Sequence, residues 1–131
     1  MSRTWTEADC LDVRKRLVSA LEALPETAHE DSHGHTGLLC RGKRFAWLTV
    51  DHHGDGRLAL WVKAPPGEQA ALVGGDPVRY FVPPYVGPSG WVGVLLDPGS
   101  DPDWDEVAAL VEQGWRMSAT KRAIAAYDAA R

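Results

Sequence analysis

Basic side chains are the residues of this 131-residue chain whose types and spacing best suit binding chemistry. Three of them flank a short turn at Gly42, one ends a later apolar stretch, and two lie near the end of the chain. They are Arg41, Lys43, Arg44, Lys63, Lys121 and Arg122. Lysine and arginine on projecting elements can neutralise phosphates, which gives salt-sensitive affinity with little dependence on base sequence. The pattern predicts a weak, non-specific nucleic-acid contact.

Two tryptophans lie close to these cations in the chain. Trp47 and Trp61 fall on neighbouring predicted strands, and both occupy the face opposite the apolar one. Exposed aromatic rings can stack nucleic-acid bases, so Trp61 is a candidate stacking partner. The alternative is that C-terminal helices cover both rings, because a domain with six tryptophans must bury most of them.

The five histidines form a second group with ligand chemistry. Two of the turns that carry them fall at the same end of a meander, so His33 or His35 could meet His52 or His53. Zinc accepts imidazole and carboxylate ligands. However, these histidines occupy polar turns and no pair has rigid helical i, i+4 spacing. We therefore predict no metal site and no cofactor.

Catalytic motifs are missing from the sequence. There is no Gly-x-Ser-x-Gly elbow, no P-loop, no Gly-x-Gly-x-x-Gly and no His-Glu-x-x-His. We therefore expect a binding protein, not an enzyme. An alternative function is a small-ligand or protein-interaction module around the proline-rich loop 83–91, where Tyr85 and Trp91 could wall a pocket. The simpler interpretation is a packed loop that closes one end of the core.

Charge is segregated along the chain, although the net charge is −4. Residues 38–63 and 115–131 each carry +3, whereas residues 1–37 carry −3 and residues 64–114 carry −7. Folding could therefore create one positive face on an acidic protein. The same segregation is also consistent with ordinary solubility patterning.

The periodicity that must position these residues is that of an α+β domain. A helix begins at Thr6 and ends before Pro25, and residues 26–36 are a weak strand or a loop. A short helix follows Pro65-Pro66-Gly67 and is predicted to close on Gly74-Gly75. Later helices are predicted to begin at Asp101-Pro102-Asp103 and at Ser118. The predicted strands are Leu38–Cys40, Arg44–Val50, Leu58–Lys63, Val78–Val82 and Trp91–Leu96.

Side-chain alternation also predicts a strand register. If Leu48 pairs with Leu60, the apolar residues of both strands share one face, and Trp47 pairs with Trp61 on the other. A slip by one residue would turn one apolar set outward. The result is an antiparallel sheet with an N-terminal helix, an inserted short helix and C-terminal helices.

The length fits a single domain over residues 1–131. Cys10 and Cys40 lack metal-type spacing and are typical of reduced thiols. No stretch has the length of a membrane span, and the N-terminus lacks the apolar core of a signal peptide. We therefore expect a cytoplasmic location and no membrane partner.

Several local motifs together resemble the MmcQ/YjbR family. They span nearly the whole chain in the family's order: Gly42-Lys43-Arg44-Phe45-Ala46, Leu60-Trp61-Val62-Lys63, Pro83-Pro84-Tyr85-Val86, Gly90-Trp91-Val92, Trp115-Arg116 and Lys121-Arg122. Thr120 stands where that pattern would have proline, and Cys40 where it would have a larger aliphatic residue. The resemblance implies a compact YjbR-like fold with an antiparallel sheet, compared with a double-winged arrangement. It also implies a DNA-binding role by analogy of fold.

Overall fold

The computed structural model describes residues 4–131 and has a six-stranded antiparallel sheet with helices, which confirms the predicted α+β fold. The strand order is β1-β2-β3-β4-β6-β5. In chain order the elements are α1 (Glu7–Glu22), β1 (Thr27–Ser32), β2 (His35–Cys40), β3 (Lys43–Val50), β4 (Leu58–Val62), α2 (Glu68–Gly75), β5 (Tyr80–Phe81), β6 (Val92–Leu95), α3 (Trp104–Arg116) and α4 (Lys121–Ala129). Within residues 4–131, no helix is both long enough and apolar enough to cross a bilayer.

Side-chain caps set the helix starts. Thr6 and Asp9 form the predicted capping box at α1, and Asp103 caps α3 by accepting from two backbone amides. The predicted start at Ser118 is wrong by two residues. Thr120 is the cap of α4, because its hydroxyl accepts a hydrogen bond from the amide of Ala123 at 3.0 Å.

Two tight turns order the first three strands. The chain from Thr27 to Ser32 is a full strand paired with β2, where the sequence predicted only a weak strand or a loop. His33-Gly34 and Arg41-Gly42 each form a two-residue turn in which both residues have positive φ. Such paired left-handed residues match the twist of an antiparallel hairpin and fix its register.

Two predictions in the middle of the chain are corrected. The strand predicted over Val78–Val82 is only Tyr80–Phe81, because Pro77 and the prolines from Pro83 onward cannot donate to a strand ladder. The Gly74-Gly75 pair does not form a left-handed glycine cap. Both glycines lie inside α2, which ends at Asp76.

The sheet buries one face against α1 and α3. Leu48 pairs with Leu60 and Trp47 with Trp61, which confirms the predicted register. The face that carries Leu48 and Leu60 packs against both helices, and we call it the helix-covered face. The core between this face and the two helices is formed mainly by Val13, Leu17, Leu21, Leu38, Ala46, Leu48, Leu60, Val62, Val94, Val107, Val111 and Trp115. Burial of these side chains supplies the main stabilisation of the fold.

Helix α3 approaches the sheet most closely at Gly114. A Cβ atom at this position would lie 2.9 Å from a Val62 methyl, 3.0 Å from the Phe45 ring and 3.2 Å from the carbonyl oxygen of Lys63. Phe45 reaches this spot because the β2–β3 register shifts there and leaves it as an extra residue in β3. A side chain at position 114 would therefore push α3 away from the strand end.

Helix α4 is fastened to α3 by a polar network around Arg116. The Arg116 guanidinium binds Glu112 at 3.2 Å and Asp128 at 2.6 Å, and the Tyr127 hydroxyl donates to Glu112 at 2.8 Å. The Tyr127 ring also packs edge-on against Trp115 at 5.1 Å between centroids. These contacts hold the helix that carries two of the candidate phosphate ligands.

Gly114→Ala is expected to destabilise the fold. Overpacking of a tight contact usually costs about 1–3 kcal/mol, which exceeds the gain of roughly 1 kcal/mol from replacing glycine in a helix. The matched control is Gly74→Ala in α2, where an added Cβ meets no atom within 4 Å. Urea unfolding should show Gly114→Ala below wild type and Gly74→Ala at or above it. Equal effects of the two substitutions would contradict the close approach.

Arg116→Gln is expected to release α4 while changing global stability by less than about 1 kcal/mol. Faster amide hydrogen exchange over residues 121–130 measures the release. Arg122→Gln is the control on the same helix, because Arg122 has no carboxylate within ion-pair distance in the described chain. Equal exchange in the two variants would show that the network does not hold α4.

The docking of α4 should also weaken in acid. Hydrogen bonding from Arg116 lowers the pKa of Asp128. Burial raises the pKa of Glu112, but hydrogen bonds from Tyr127 and Arg116 bring it below the ordinary value overall. Groups with a depressed folded pKa stabilise fully above their unfolded pKa, about 4 here, and lose this contribution as pH falls through the folded pKa. The protection factors of the amides over residues 121–130, which correct for the intrinsic pH dependence of exchange, should therefore fall below about pH 4 in wild type and less so in Arg116→Gln.

Candidate nucleic-acid interface

Two of the predicted basic residues lie at one end of the sheet, which we call the basic end. Lys43 begins β3, and Lys63 follows the last residue of the adjacent antiparallel strand β4. The amide of Lys63 donates to the carbonyl oxygen of Phe45 at 2.9 Å, which brings the two strand ends together. Both lysines therefore lie at the same end of two neighbouring central strands.

The two lysines point to opposite faces of that end. Lys43 pairs directly with buried Cys40, and directly opposed residues of an antiparallel pair share a face, so Lys43 lies on the helix-covered side. Lys63 lies two residues beyond Trp61 and therefore points to the same side of the sheet. This side is opposite the helix-covered face, and we call it the second face. The basic end thus presents a cation on each side of the sheet.

The C-terminal segment reaches the same end of the molecule. The Trp115 indole donates to the carbonyl oxygen of Pro25 at 2.9 Å, and the next residue, Glu26, accepts from the amide of Arg41 in the β2–β3 turn. The closing residues of α3 are therefore next to the basic turn. Lys121 and Arg122 follow in the first turn of α4, where both are exposed.

Ion pairing divides the six predicted basic residues into two groups. Arg41 is paired with Glu26 at 2.9 Å, and Arg44 with Glu30 at 3.0 Å. The Arg44 guanidinium also lies over the Trp47 ring, 4.7 Å from its centroid. The other four residues have no carboxylate within 4.0 Å across residues 4–131: Lys43, Lys63, Lys121 and Arg122. Only these four are free to take up phosphates without first losing a partner.

Trp61 is not an exposed stacking partner, and that prediction is wrong. Its side chain is 1% exposed. The C-terminal helices do not cover it, since α3 packs on the other face. Instead the turn after β3 folds back and places the His52 ring 4.8 Å from the Trp61 ring, while Trp47 packs edge-on at 6.0 Å. The indole N–H groups of Trp47 and Trp61 are buried and find no hydrogen-bond partner within residues 4–131.

Histidines of the two turns meet, as the meander predicted. The rings of His35 and His52 are 5.4 Å apart between centroids, and the Nδ1 atom of His35 accepts from the amide of Val50 at 3.0 Å. Burial lowers the pKa of both histidines, and the neighbouring histidines lower it further, against an opposing effect of Asp55. Both rings are therefore neutral at pH 7. No group of three potential metal ligands is found in the described part of the chain.

The loop 83–91 presents its tyrosine to solvent. Tyr85 is 73% exposed, so it does not wall an enclosed pocket. Trp91 contributes its carbonyl oxygen, which accepts a hydrogen bond from the Gln69 side chain at 2.6 Å. The Tyr85 ring lies 5.9 Å from His52 and 6.3 Å from His53. Tyr85 and Trp91 therefore do not wall a pocket together. The Tyr85 ring is exposed, and the Trp91 backbone anchors the loop to Gln69.

A cavity of about 570 Å³ lies elsewhere, between the start of α1 and the sheet. Leu11, Leu48 and Val50 form part of its apolar wall. Two of its charged residues are paired with each other, because Arg14 binds Asp31 through two hydrogen bonds of 3.1 and 2.7 Å. Hydrogen bonding from Arg14 is also the main reason that the pKa of Asp31 is lowered.

Sequence reasoning missed two residues of this region. Gln69 pins the loop from α2, and His53 stands exposed beside Tyr85. No signal in the sequence identified Gln69, because a glutamine in a short amphipathic helix is unremarkable. His53 was noted only as a possible metal ligand.

Comparison with known proteins provides the family. The YjbR family model matches residues 22–117, which is well over half of the chain and includes the β2–β3 turn, Lys63 and the loop that carries Tyr85. No curated protein and no solved structure matches the chain. The chain belongs to the YjbR family.

Proposed function

We propose that this protein binds nucleic acid without catalysing a reaction, through phosphate contacts made by Lys43, Lys63, Lys121 and Arg122. The observation that supports the proposal most directly is that these four cations lack carboxylate partners, although the protein carries an excess of acidic residues. Unpaired surface cations keep their charge available for a polyanion. Phosphate contacts of this kind give affinity without base recognition.

Arg41 and Arg44 have a secondary role in this proposal. Arg41 is paired with Glu26, and Arg44 with Glu30. Exposed ion pairs of this type contribute about 0–1 kcal/mol to stability. A phosphate could displace either glutamate at small cost. The two arginines would therefore strengthen a contact that the four unpaired cations initiate.

The small-ligand alternative around Tyr85 and Trp91 has weaker support. A ligand pocket is concave and encloses most of its ligand, whereas Tyr85 is largely exposed. The cavity beside α1 has the size of a ligand site, but the guanidinium of Arg14 in its wall is already paired with Asp31. Neither feature favours a small ligand over a phosphate-bearing partner.

The proposal predicts DNA binding that weakens steeply with salt. Fluorescence anisotropy with a labelled oligonucleotide, repeated across salt concentrations, gives the slope of log affinity against log salt. Lys43→Gln and Lys63→Gln should each weaken binding and reduce the size of that slope by about 1, as expected for the loss of one phosphate contact. The double variant should combine both effects.

Lys15→Gln is the matched control for these variants. It removes one exposed, unpaired lysine from α1, so it changes net charge equally but lies outside the basic end. It should leave the salt slope at the wild-type value. Absence of binding at low salt would refute the proposed function, and an equal effect of Lys15→Gln would refute the assignment of the interface.

A further inference from the structure

Tyr85 stands on a rigid loop. Gln69 donates from α2 to the carbonyl oxygens of Gly87 and Trp91, at 2.8 and 2.6 Å. Within the loop, the amide of Gly87 donates to the carbonyl oxygen of Pro83 at 3.0 Å. Consecutive prolines at the start of the loop restrict its backbone further. The exposed ring is therefore held in a defined position before any partner arrives.

The backbone under this ring is strained. Tyr85 has a φ of 64° and His53 a φ of 51°, so two exposed rings of one cluster both stand on left-handed backbone. A bulky side chain such as that of tyrosine is an outlier in this region, so its backbone is strained. Strain of this kind persists where the surroundings impose it, and it concentrates at functional positions.

Buried rings support the exposed ones from below. His52 lies between the two layers: its ring is 4.2 Å from His53 and 5.9 Å from Tyr85 on the outside, and 4.8 Å from Trp61 on the inside. Tyr85 and His53 therefore form the outer surface of a cluster of aromatic rings packed edge-on, with their own two rings inclined at 59°. We call these two rings the aromatic platform.

The loop that carries Tyr85 passes close to Lys63, the cation of the basic end on the same sheet face as Trp61. A Cβ atom on Gly90 would lie 3.9 Å from the carbonyl oxygen of Ala64, so the loop runs beside the residue that follows Lys63. Lys63 carries no ion pair with any residue from 4 to 131. The carboxylates of Asp51 and Asp55 accept hydrogen bonds from the backbone amides of Gly56 and Arg57, at 2.8 and 2.9 Å. These hydrogen bonds partly offset the negative charge of both carboxylates.

We infer that the nucleic acid is single stranded, with an unpaired base stacked on the Tyr85 ring of the aromatic platform, beside His53, and its backbone phosphates held by Lys63. This inference rests on the proposed function and specifies its substrate. A base within a duplex has both faces covered by its neighbours, whereas an unpaired base can offer a face to an aromatic ring. An aromatic surface beside an unpaired cation is complementary to both parts of a nucleotide.

The test compares three probes of equal length: a single-stranded oligothymidine, a fully abasic strand with the same phosphates, and a duplex. Anisotropy is measured above about pH 7, where the lowered pKa values of His35 and His52 keep both of these rings neutral. Wild type should bind the oligothymidine most tightly. Tyr85→Ala should weaken that binding roughly five- to a hundredfold, the usual effect of removing one stacked ring, and leave binding to the abasic strand unchanged.

Two further variants separate stacking from a structural role. Tyr85→Phe keeps the ring and should keep the affinity for oligothymidine. Tyr85→Asn removes the ring but tolerates left-handed backbone, so its urea midpoint should equal or exceed that of wild type while its affinity falls as in Tyr85→Ala. A structural tyrosine would instead lower the urea midpoint in Tyr85→Asn.

The outcomes distinguish the two proposals. Equal binding of oligothymidine and abasic strand, or no effect of Tyr85→Ala, would overturn base stacking and leave the phosphate contacts standing. Preference for the duplex would also overturn it. Absence of binding to any of the three probes at low salt would overturn the proposed function together with this inference.

Discussion

The pairing of Leu48 with Leu60 is the constraint on which the rest of the structure depends. This register turns one apolar set of β3 and β4 toward α1 and α3, namely Ala46, Leu48, Val50, Leu58, Leu60 and Val62, and it necessarily turns Trp47 and Trp61 the other way. Since a slip by one residue would expose the apolar set, the hydrophobic effect specifies the register strongly. The location of the basic end follows from it, because the register sets which residues of β3 and β4 meet at the strand ends.

The second face shows how the same register creates a functional surface. Two tryptophans turned away from the helices must be covered by something else, and the turn after β3 supplies His52. The His52 ring is polar and neutral at pH 7. His53 and Tyr85 pack on its outer side and remain exposed. One cluster of rings therefore contains both a buried residue, Trp61, and exposed residues, His53 and Tyr85. The cost is backbone strain and two buried indole N–H groups without partners among the described residues.

Much of the fold could be predicted from the sequence, because alternation, capping residues and turn glycines are local signals with strong physical causes. These signals located α1, the register of β3 with β4 and the start of α3. They failed at β5, which flanking prolines limit to two residues, and at the start of α4, where Thr120 and not Ser118 is the cap. At the site, residue types identified the cations, but ion pairing and the burial of Trp61 depend on neighbours distant in sequence.

The most direct test of the central claim, that nucleic acid contacts the cations on both sides of the basic end and at the start of α4, is amide chemical-shift mapping during titration with a single-stranded oligonucleotide at low salt. The account predicts that shifts concentrate around Lys43, Lys63 and Lys121, and that the loop around Tyr85 shifts with them, while α1 around Lys15 stays unchanged. Shifts confined to α1 and the cavity beside it, or spread evenly over the surface, would contradict it.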